Sequence, residues 1–103
     1  MDQQRTAVRG AVRWRLSGRV QGVGFRWFVR EAASGLDVRG DVCNLPDGRV
    51  EVRAAGPSGV LADLLELVRQ GPPASRVDHV EELEPQNDLP REGFHIRRDG
   101  ASW

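Results

Sequence analysis

The sequence predicts a single α+β domain whose elements follow the order β-α-β-β-α-β, with a short fifth strand at the end. Three observations support this prediction. The chain has 103 residues, which suits one domain of ordinary size. Apolar and polar residues alternate in several short stretches, as in strands that bury one face. Between these stretches, apolar residues twice recur at the spacing of an amphipathic helix.

The first half of the chain predicts a strand, a helix and a second strand. Residues 11–17 alternate between apolar side chains, including Trp14, and arginine or serine. After a glycine-rich stretch, apolar residues at helical spacing predict a helix from Phe25 to about Gly35, where glycine favours a left-handed cap. Residues 38–45 are the next strand candidate.

The second half completes the pattern. Residues 46–48, Pro-Asp-Gly, predict a turn, because proline fixes φ and glycine permits a positive φ. Residues 49–55 alternate again and form a hairpin with the preceding strand. A stretch rich in glycine and proline then breaks the chain, and residues 60–68 carry the apolar stripe of a second helix, which a Gly-Pro-Pro sequence stops. Residues 76–83 and 94–97 are the last two strands.

This order of elements is that of the ferredoxin-like fold. We expect an antiparallel sheet with both helices packed on one face. Because the strands alternate and are not apolar throughout, we expect the other face to be partly solvated. Residues 11–98 are assigned to this domain, residues 1–10 to a flexible N-terminal tail and residues 99–103 to a C-terminal tail.

Composition and charge exclude several classes of function. Fifteen basic residues balance fifteen acidic ones, so the chain lacks the basic character of a nucleic-acid-binding domain. Every basic residue is arginine, which excludes lysine chemistry, including that of a P-loop. No apolar run approaches the roughly 20 residues of a membrane span. A single cysteine, Cys43, excludes an internal disulfide. We therefore expect a cytoplasmic protein.

The glycine-rich segment before the first helix is the candidate site. Gly18, Gly22 and Gly24 let the backbone bend closely, and the helix that follows begins with N–H groups that have no partner within the helix. Such a loop is suited to bind an anion, above all phosphate. Arg26 falls in the first helical turn, where a cation is unfavourable by about 0.3–1 kcal/mol against the helix dipole. A bound anion would offset that cost, although the pattern alone also fits a tight connection without a ligand.

The wider sequence around this loop resembles the first signature of the acylphosphatase family. The match covers residues 16–26, Leu-Ser-Gly-Arg-Val-Gln-Gly-Val-Gly-Phe-Arg. A second stretch, residues 40–56, resembles the other signature of the family. Its matching positions are Gly40, Val42, Asn44, Gly48, Val50 and Gly56. The resemblance runs from about residue 12 to residue 96. Asp41 and Cys43 depart from it, since the family usually has an aromatic residue and a basic or long residue there.

The resemblance implies an enzyme that hydrolyses the carboxyl–phosphate bond of an acyl phosphate to a carboxylate and inorganic phosphate, without metal, cofactor or covalent intermediate. It implies that Arg26 binds the phosphoryl oxygens and that Asn44 holds the attacking water. The backbone N–H groups that would line the phosphate site belong to Gln21, Gly22, Val23, Gly24 and Phe25. It also implies a monomer whose substrate is a small acyl phosphate and whose product and inhibitor is inorganic phosphate or a similar anion. It implies no binding to nucleic acid or to a membrane.

Two alternatives stay open. The first is a domain of low activity that binds an acyl phosphate or carbamoyl phosphate, because Asp41 and Cys43 lie beside a residue with an implied role. The second is an RNA-binding module, since such modules share the order of elements. Residues 49–53, on the third strand, contain none of the aromatic side chains on which those modules stack bases. The sequence gives no placement for Trp27 or Trp103.

Overall fold

A computed structural model describes residues 9–98, and most of the two predicted tails, residues 1–8 and 99–103, lies outside this part of the chain. The strands and helices follow the predicted order. Their bounds are β1 Arg9–Arg19, α1 Phe25–Ser34, β2 Arg39–Asn44, β3 Val50–Pro57, α2 Ser58–Gln70, β4 Arg76–Leu83 and β5 Phe94–Ile96. The predicted α+β class and ferredoxin-like arrangement are confirmed.

The strands form one sheet in the order β4-β1-β3-β2-β5. Neighbouring strands are antiparallel except at one edge, where β5 runs parallel to β2. The predicted antiparallel sheet is thus confirmed for β1 to β4, and the short fifth strand joins it in the parallel direction. Strands β4 and β5 lie at opposite edges of the sheet, so the chain must cross the sheet between them. Residues 84–93 make this crossing, and their Gln86 and Asp88 accept hydrogen bonds from Arg53 on the central strand β3, each at 2.8 Å.

Both helices lie on one face of the sheet, as predicted. Helix α1 contacts β2 and β5, α2 contacts β1, β3 and β4, and the helices contact each other. One hydrophobic core fills the space between helices and sheet. Its buried members include Trp14, Leu16, Val42, Val50, Val52, Phe25, Val29, Leu61, Leu64 and Val68. No helix within residues 9–98 is long and apolar enough to cross a membrane.

Two element boundaries and one helix cap differ from the prediction. Strand β1 begins at Arg9, so Arg9 and Gly10 belong to the sheet and not to the tail; both pair with the end of β3. Helix α2 begins at Ser58, directly after the last residue of β3. The break predicted from the glycine and proline residues therefore does not form a separate loop. Gly35 ends α1 with a φ of −86°, so the predicted left-handed cap is wrong. Its N–H instead donates to a carbonyl of the last helical turn.

The face of the sheet opposite the helices carries a network of charged side chains. Asp41, Glu51 and Arg53 point to this face because side chains alternate along a strand, and all three are buried. Arg53 donates to both oxygens of Asp41, at 2.8 and 2.6 Å. Glu51 accepts hydrogen bonds from three arginines, which are Arg13, Arg15 and Arg97. The centre of this face is thus less exposed to solvent than the prediction of a partly solvated face implied.

The network sets the ionisation of its members. Burial alone would raise the pKa of Glu51, but the hydrogen bonds from Arg15, Arg97 and Arg13 outweigh burial and lower the pKa below its usual value. The thiol of Cys43 lies on the same face, 3.2 Å from a nitrogen of Arg97. Burial is the main cause that raises its pKa to about 11. Cys43 is therefore a neutral thiol near neutral pH, without nucleophilic character.

Candidate active site

The candidate site lies where the loop after β1 meets the start of α1. Gly22 and Gly24 have φ angles of 73° and 79°, in the left-handed region that favours glycine. A Cβ atom added at either position would meet no atom within 4 Å. These two glycines are thus required by the shape of the backbone, and the space beside the loop is open.

The first turn of α1 presents backbone donors at the loop. Gly24 is the N-cap residue; no side chain of residues 9–98 caps the helix there, and its first turn holds no acidic residue. The N–H of Phe28 donates to the carbonyl of Gly24 at 3.0 Å and closes the first turn. The N–H groups of Phe25, Arg26 and Trp27 precede that of Phe28, so they have no acceptor four residues earlier within the helix. Together with the helix dipole they favour an anion.

A cavity of about 240 Å³ opens at this loop. The residues that line it come from the loop, from the first turn of α1 and from the ends of β2 and β5. They are Val20, Gly22, Gly24, Phe25, Arg26, Trp27, Asn44 and Ile96. Among these described lining residues, Arg26 is the one with a charged side chain. The cavity therefore brings both predicted catalytic residues to the same place and has the electrostatic character of an anion site.

Two of the predicted loop residues do not line the cavity. The side chain of Gln21 turns toward the β2–β3 hairpin, where its Nε2 donates to the carbonyls of Leu45 and Arg49, both at 2.9 Å. Val23 packs against the hydrophobic core. Gln21 thus joins the glycine loop to the end of the hairpin that carries Asn44. The sequence did not indicate this connection.

Asn44 is the last residue of β2 and lies on the side of the sheet that faces the helices. Alternation along β2 places Val42 and Asn44 on this face and turns Asp41 and Cys43 to the opposite one. Asn44 pairs with Val50 across the hairpin and is half-buried. Asp41 and Cys43 belong to the charged network behind the sheet. Their departure from the family pattern therefore lies away from the cavity.

The turn that follows Asn44 is fixed by local hydrogen bonds. The N–H of Leu45 donates to the carbonyl of Arg49 at 2.8 Å, and that of Gly48 donates to the carbonyl of Leu45 at 3.1 Å. Arg49 also donates to the carboxylate of Asp47 through its backbone N–H and its Nε, at 3.1 and 2.9 Å. The side-chain bond is the main cause that lowers the pKa of Asp47. The hairpin thus offers Gln21 a rigid anchor.

A second cavity, of about 310 Å³, lies at the opposite end of β2. Charged residues of both signs line it. They are Arg9, Asp37, Arg39, Arg91 and Glu92. It contains none of the residues that the sequence singled out, so we place the functional site at the smaller cavity. Within residues 9–98, no group of three or more His, Cys, Asp or Glu side chains is arranged to hold a metal ion.

Comparison with known proteins agrees with this geometry. The acylphosphatase family model matches residues 12–96. The chain belongs to the acylphosphatase family. An acylphosphatase of Koribacter versatilis (strain Ellin345) is 53% identical over 79 residues, which are 75% of this chain and 72% of that protein. An acylphosphatase of Salinibacter ruber is 44% identical over 93 residues, 90% of this chain and 98% of that protein.

A solved structure extends the comparison to the fold of this acylphosphatase-family protein. The crystal structure of acylphosphatase from Bacillus subtilis superimposes with a TM-score of 0.79 at 38% identity, over 87% of this chain and 99% of that one. The predicted family and fold are confirmed. The roles of Arg26 and Asn44 remain predictions.

Three lining residues of the cavity were not predicted from the sequence: Val20, Trp27 and Ile96. Val20 carries no signal, since it is one more buried aliphatic residue. Ile96 reaches the cavity only because β5 pairs with β2, and the register places it opposite Val42. Trp27 did offer a signal, because a large aromatic residue directly follows Arg26 in the first helical turn.

Proposed function

We propose that this protein hydrolyses the carboxyl–phosphate bond of acyl phosphates, releasing a carboxylate and inorganic phosphate. One observation carries the proposal: Arg26 and Asn44, from two separate family signatures, line one cavity beside the glycine loop. The family match over residues 12–96 supports it.

The loop and Arg26 would bind the phosphoryl group. A guanidinium presents a planar set of donors that matches two phosphate oxygens, and it stays charged at any working pH. Backbone N–H groups at the start of α1 would contact the remaining oxygens. Negative charge spreads over these oxygens during transfer, so donors that are already in place stabilise the transition state without reorganising.

Asn44 would hold the attacking water. Its amide both donates and accepts hydrogen bonds but is a poor base. The proton of the water would therefore pass to the phosphate of the substrate. The leaving carboxylate is already a weak base and needs little help from an acid. In this mechanism no covalent intermediate, metal or cofactor takes part, and the contribution of Asn44 is one of orientation.

The remaining parts of the proposal concern the setting of the reaction. We propose that the protein acts as a cytoplasmic monomer on small acyl phosphates. Inorganic phosphate, the product, should compete with the substrate for the loop.

Hydrolysis of benzoyl phosphate near neutral pH, with a chelator present, tests this function. Arg26→Ala should lower kcat/KM on the order of 10³-fold, because it removes a principal donor to the transition state. Arg69→Ala is the matched control, since Arg69 is exposed in the last turn of α2. Circular dichroism checks the fold of each variant. Added guanidinium ion should restore part of the activity of Arg26→Ala. Absence of turnover in the wild type, or equal turnover in wild type and Arg26→Ala, would refute the proposal.

A further inference from the structure

Within residues 9–98, the exposed large hydrophobic side chains lie at the candidate site. Among the described residues, the large hydrophobic side chains classed as exposed are Trp27, at 58%, and Ile96, at 38%. Both line the cavity that holds Arg26 and Asn44. A single exposed hydrophobic residue is ordinary on a protein surface. An apolar pair that is confined to the mouth of an anion site instead indicates contact with an apolar part of the ligand.

The two side chains come from different elements that line the cavity. Ile96 belongs to β5, which pairs with β2 in the sheet. It lies opposite Val42, and Val42 precedes Asn44 by two residues on β2. Trp27 belongs to the first turn of α1, directly after Arg26. The guanidinium carbon of Arg30 lies 5.7 Å from the centroid of the Trp27 ring, within the range of a cation–π contact. This contact restrains the indole while most of its surface stays open.

The direction of phosphoryl transfer distinguishes the residue on the sheet from the residue on the helix. The attacking and leaving oxygens lie roughly in line across the phosphorus atom. If Asn44 holds the water on the sheet wall, the acyl group leaves on the side away from the sheet, toward the helix. This step rests on the proposed function. It places the acyl group next to Trp27 and not next to Ile96.

We propose that Trp27 is a specificity-determining residue that contacts the acyl group and favours aromatic acyl phosphates over acetyl phosphate. A flat ring on the acyl carbon stacks on the indole and covers apolar surface that is otherwise exposed. An acetyl group is too small to do so. Aromatic pairs contribute about 0.5–1.5 kcal/mol beyond the burial of area.

The test compares kcat/KM for benzoyl phosphate and acetyl phosphate in wild type, Trp27→Phe, Trp27→Ala and Ile96→Ala. The benzoyl-to-acetyl ratio should fall about two- to twelvefold in Trp27→Ala, which is the fold-change that corresponds to one aromatic contact. Trp27→Phe should keep most of the ratio because it keeps a ring. Ile96→Ala should change the ratio less than Trp27→Ala does. An unchanged ratio in Trp27→Ala, or a larger fall in Ile96→Ala, would overturn the inference.

A binding measurement separates this inference from the proposed function. Phenylphosphonate and methylphosphonate carry the same anionic group and are not hydrolysed, so their affinities can be measured by calorimetry whether or not the protein is a catalyst. The preference for phenylphosphonate should fall in Trp27→Ala by a similar factor. If the wild type hydrolyses neither acyl phosphate, the proposed function fails, and the phosphonate preference still decides the role of Trp27. If it hydrolyses both and neither ratio moves in Trp27→Ala, the function stands and the role of Trp27 is refuted.

Discussion

Replacing Gln21 with alanine is expected to loosen the candidate site without unfolding the protein. The exchange removes two hydrogen bonds of 2.9 Å, to the carbonyls of Leu45 and Arg49. Each carbonyl keeps a second donor within the hairpin turn, so neither is left without a hydrogen bond. The free energy of unfolding should therefore fall by the net value of two hydrogen bonds, about 1–3 kcal/mol. The larger penalty of leaving a buried carbonyl without a hydrogen bond does not apply.

The effect on activity should exceed the effect on stability. Gln21 joins the glycine loop to the hairpin that carries Asn44, and a displacement of about 1 Å between reacting groups costs up to 10²-fold in rate. We expect kcat/KM for benzoyl phosphate to fall about ten- to hundredfold in Gln21→Ala. The isosteric Gln21→Glu should lose at least as much, because it sets a carboxylate against the same two carbonyl oxygens.

Urea denaturation and steady-state kinetics on the same preparations measure both quantities. Gln70→Ala is the matched control, since Gln70 is exposed at the end of α2 and its removal should change the unfolding free energy by less than about 0.5 kcal/mol. Wild-type stability together with wild-type kcat/KM in Gln21→Ala would refute the positioning role. A loss of stability without a loss of activity would confine Gln21 to a structural role.

Two further predictions concern the charged face of the sheet. Glu51→Gln should lower the free energy of unfolding at pH 7 by about 3 kcal/mol, because it leaves arginines around a buried neutral group. The folded pKa of Glu51 lies below its unfolded value, so this contribution is present above about pH 4.3 and is lost as the pH falls through the folded pKa. Urea unfolding at several pH values measures the difference between wild type and variant, and a difference that stays constant down to pH 2 would contradict the prediction. Cys43, buried and with a pKa raised to about 11, should resist Ellman's reagent at pH 8 until the protein is unfolded in urea, whereas rapid labelling of the native protein would show that this face opens.

Most of the fold could be predicted because its signals are local. The alternation in residues 11–17 and the helical spacing after Phe25 depend only on neighbours in the sequence. The direction of β5 could not be predicted in this way, because a strand of three residues pairs according to where the preceding connection ends. The start of α2 at Ser58 could not be predicted from local signals either. Glycine and proline in this stretch predict a break between elements, but β3 passes directly into the helix.

In the candidate site too, the residues that are close in sequence could be predicted, and those brought together only by the fold could not. Arg26 and the glycines were evident because the loop and the first helical turn are continuous in sequence. Asn44 was named only through the resemblance to a family, since no local pattern joins it to Arg26. The side-chain role of Gln21 and the place of Trp27 at the cavity required the hairpin and the helix to be seen side by side.

The alternative of a binding domain with low activity depended on Asp41 and Cys43, and the structure places both side chains on the face of the sheet opposite the cavity. A buried carboxylate is stable only with partners. Asp41 obtains them on the far face, where Arg53 binds both of its oxygens. Asp41 and Cys43 also contact the side chain of Arg97, each at 3.2 Å, and Arg97 directly follows Ile96, which lines the cavity. Asn44 itself is held by its pairing with Val50 and by the hairpin turn that follows it, so an effect of Asp41 or Cys43 on the site would have to reach it indirectly.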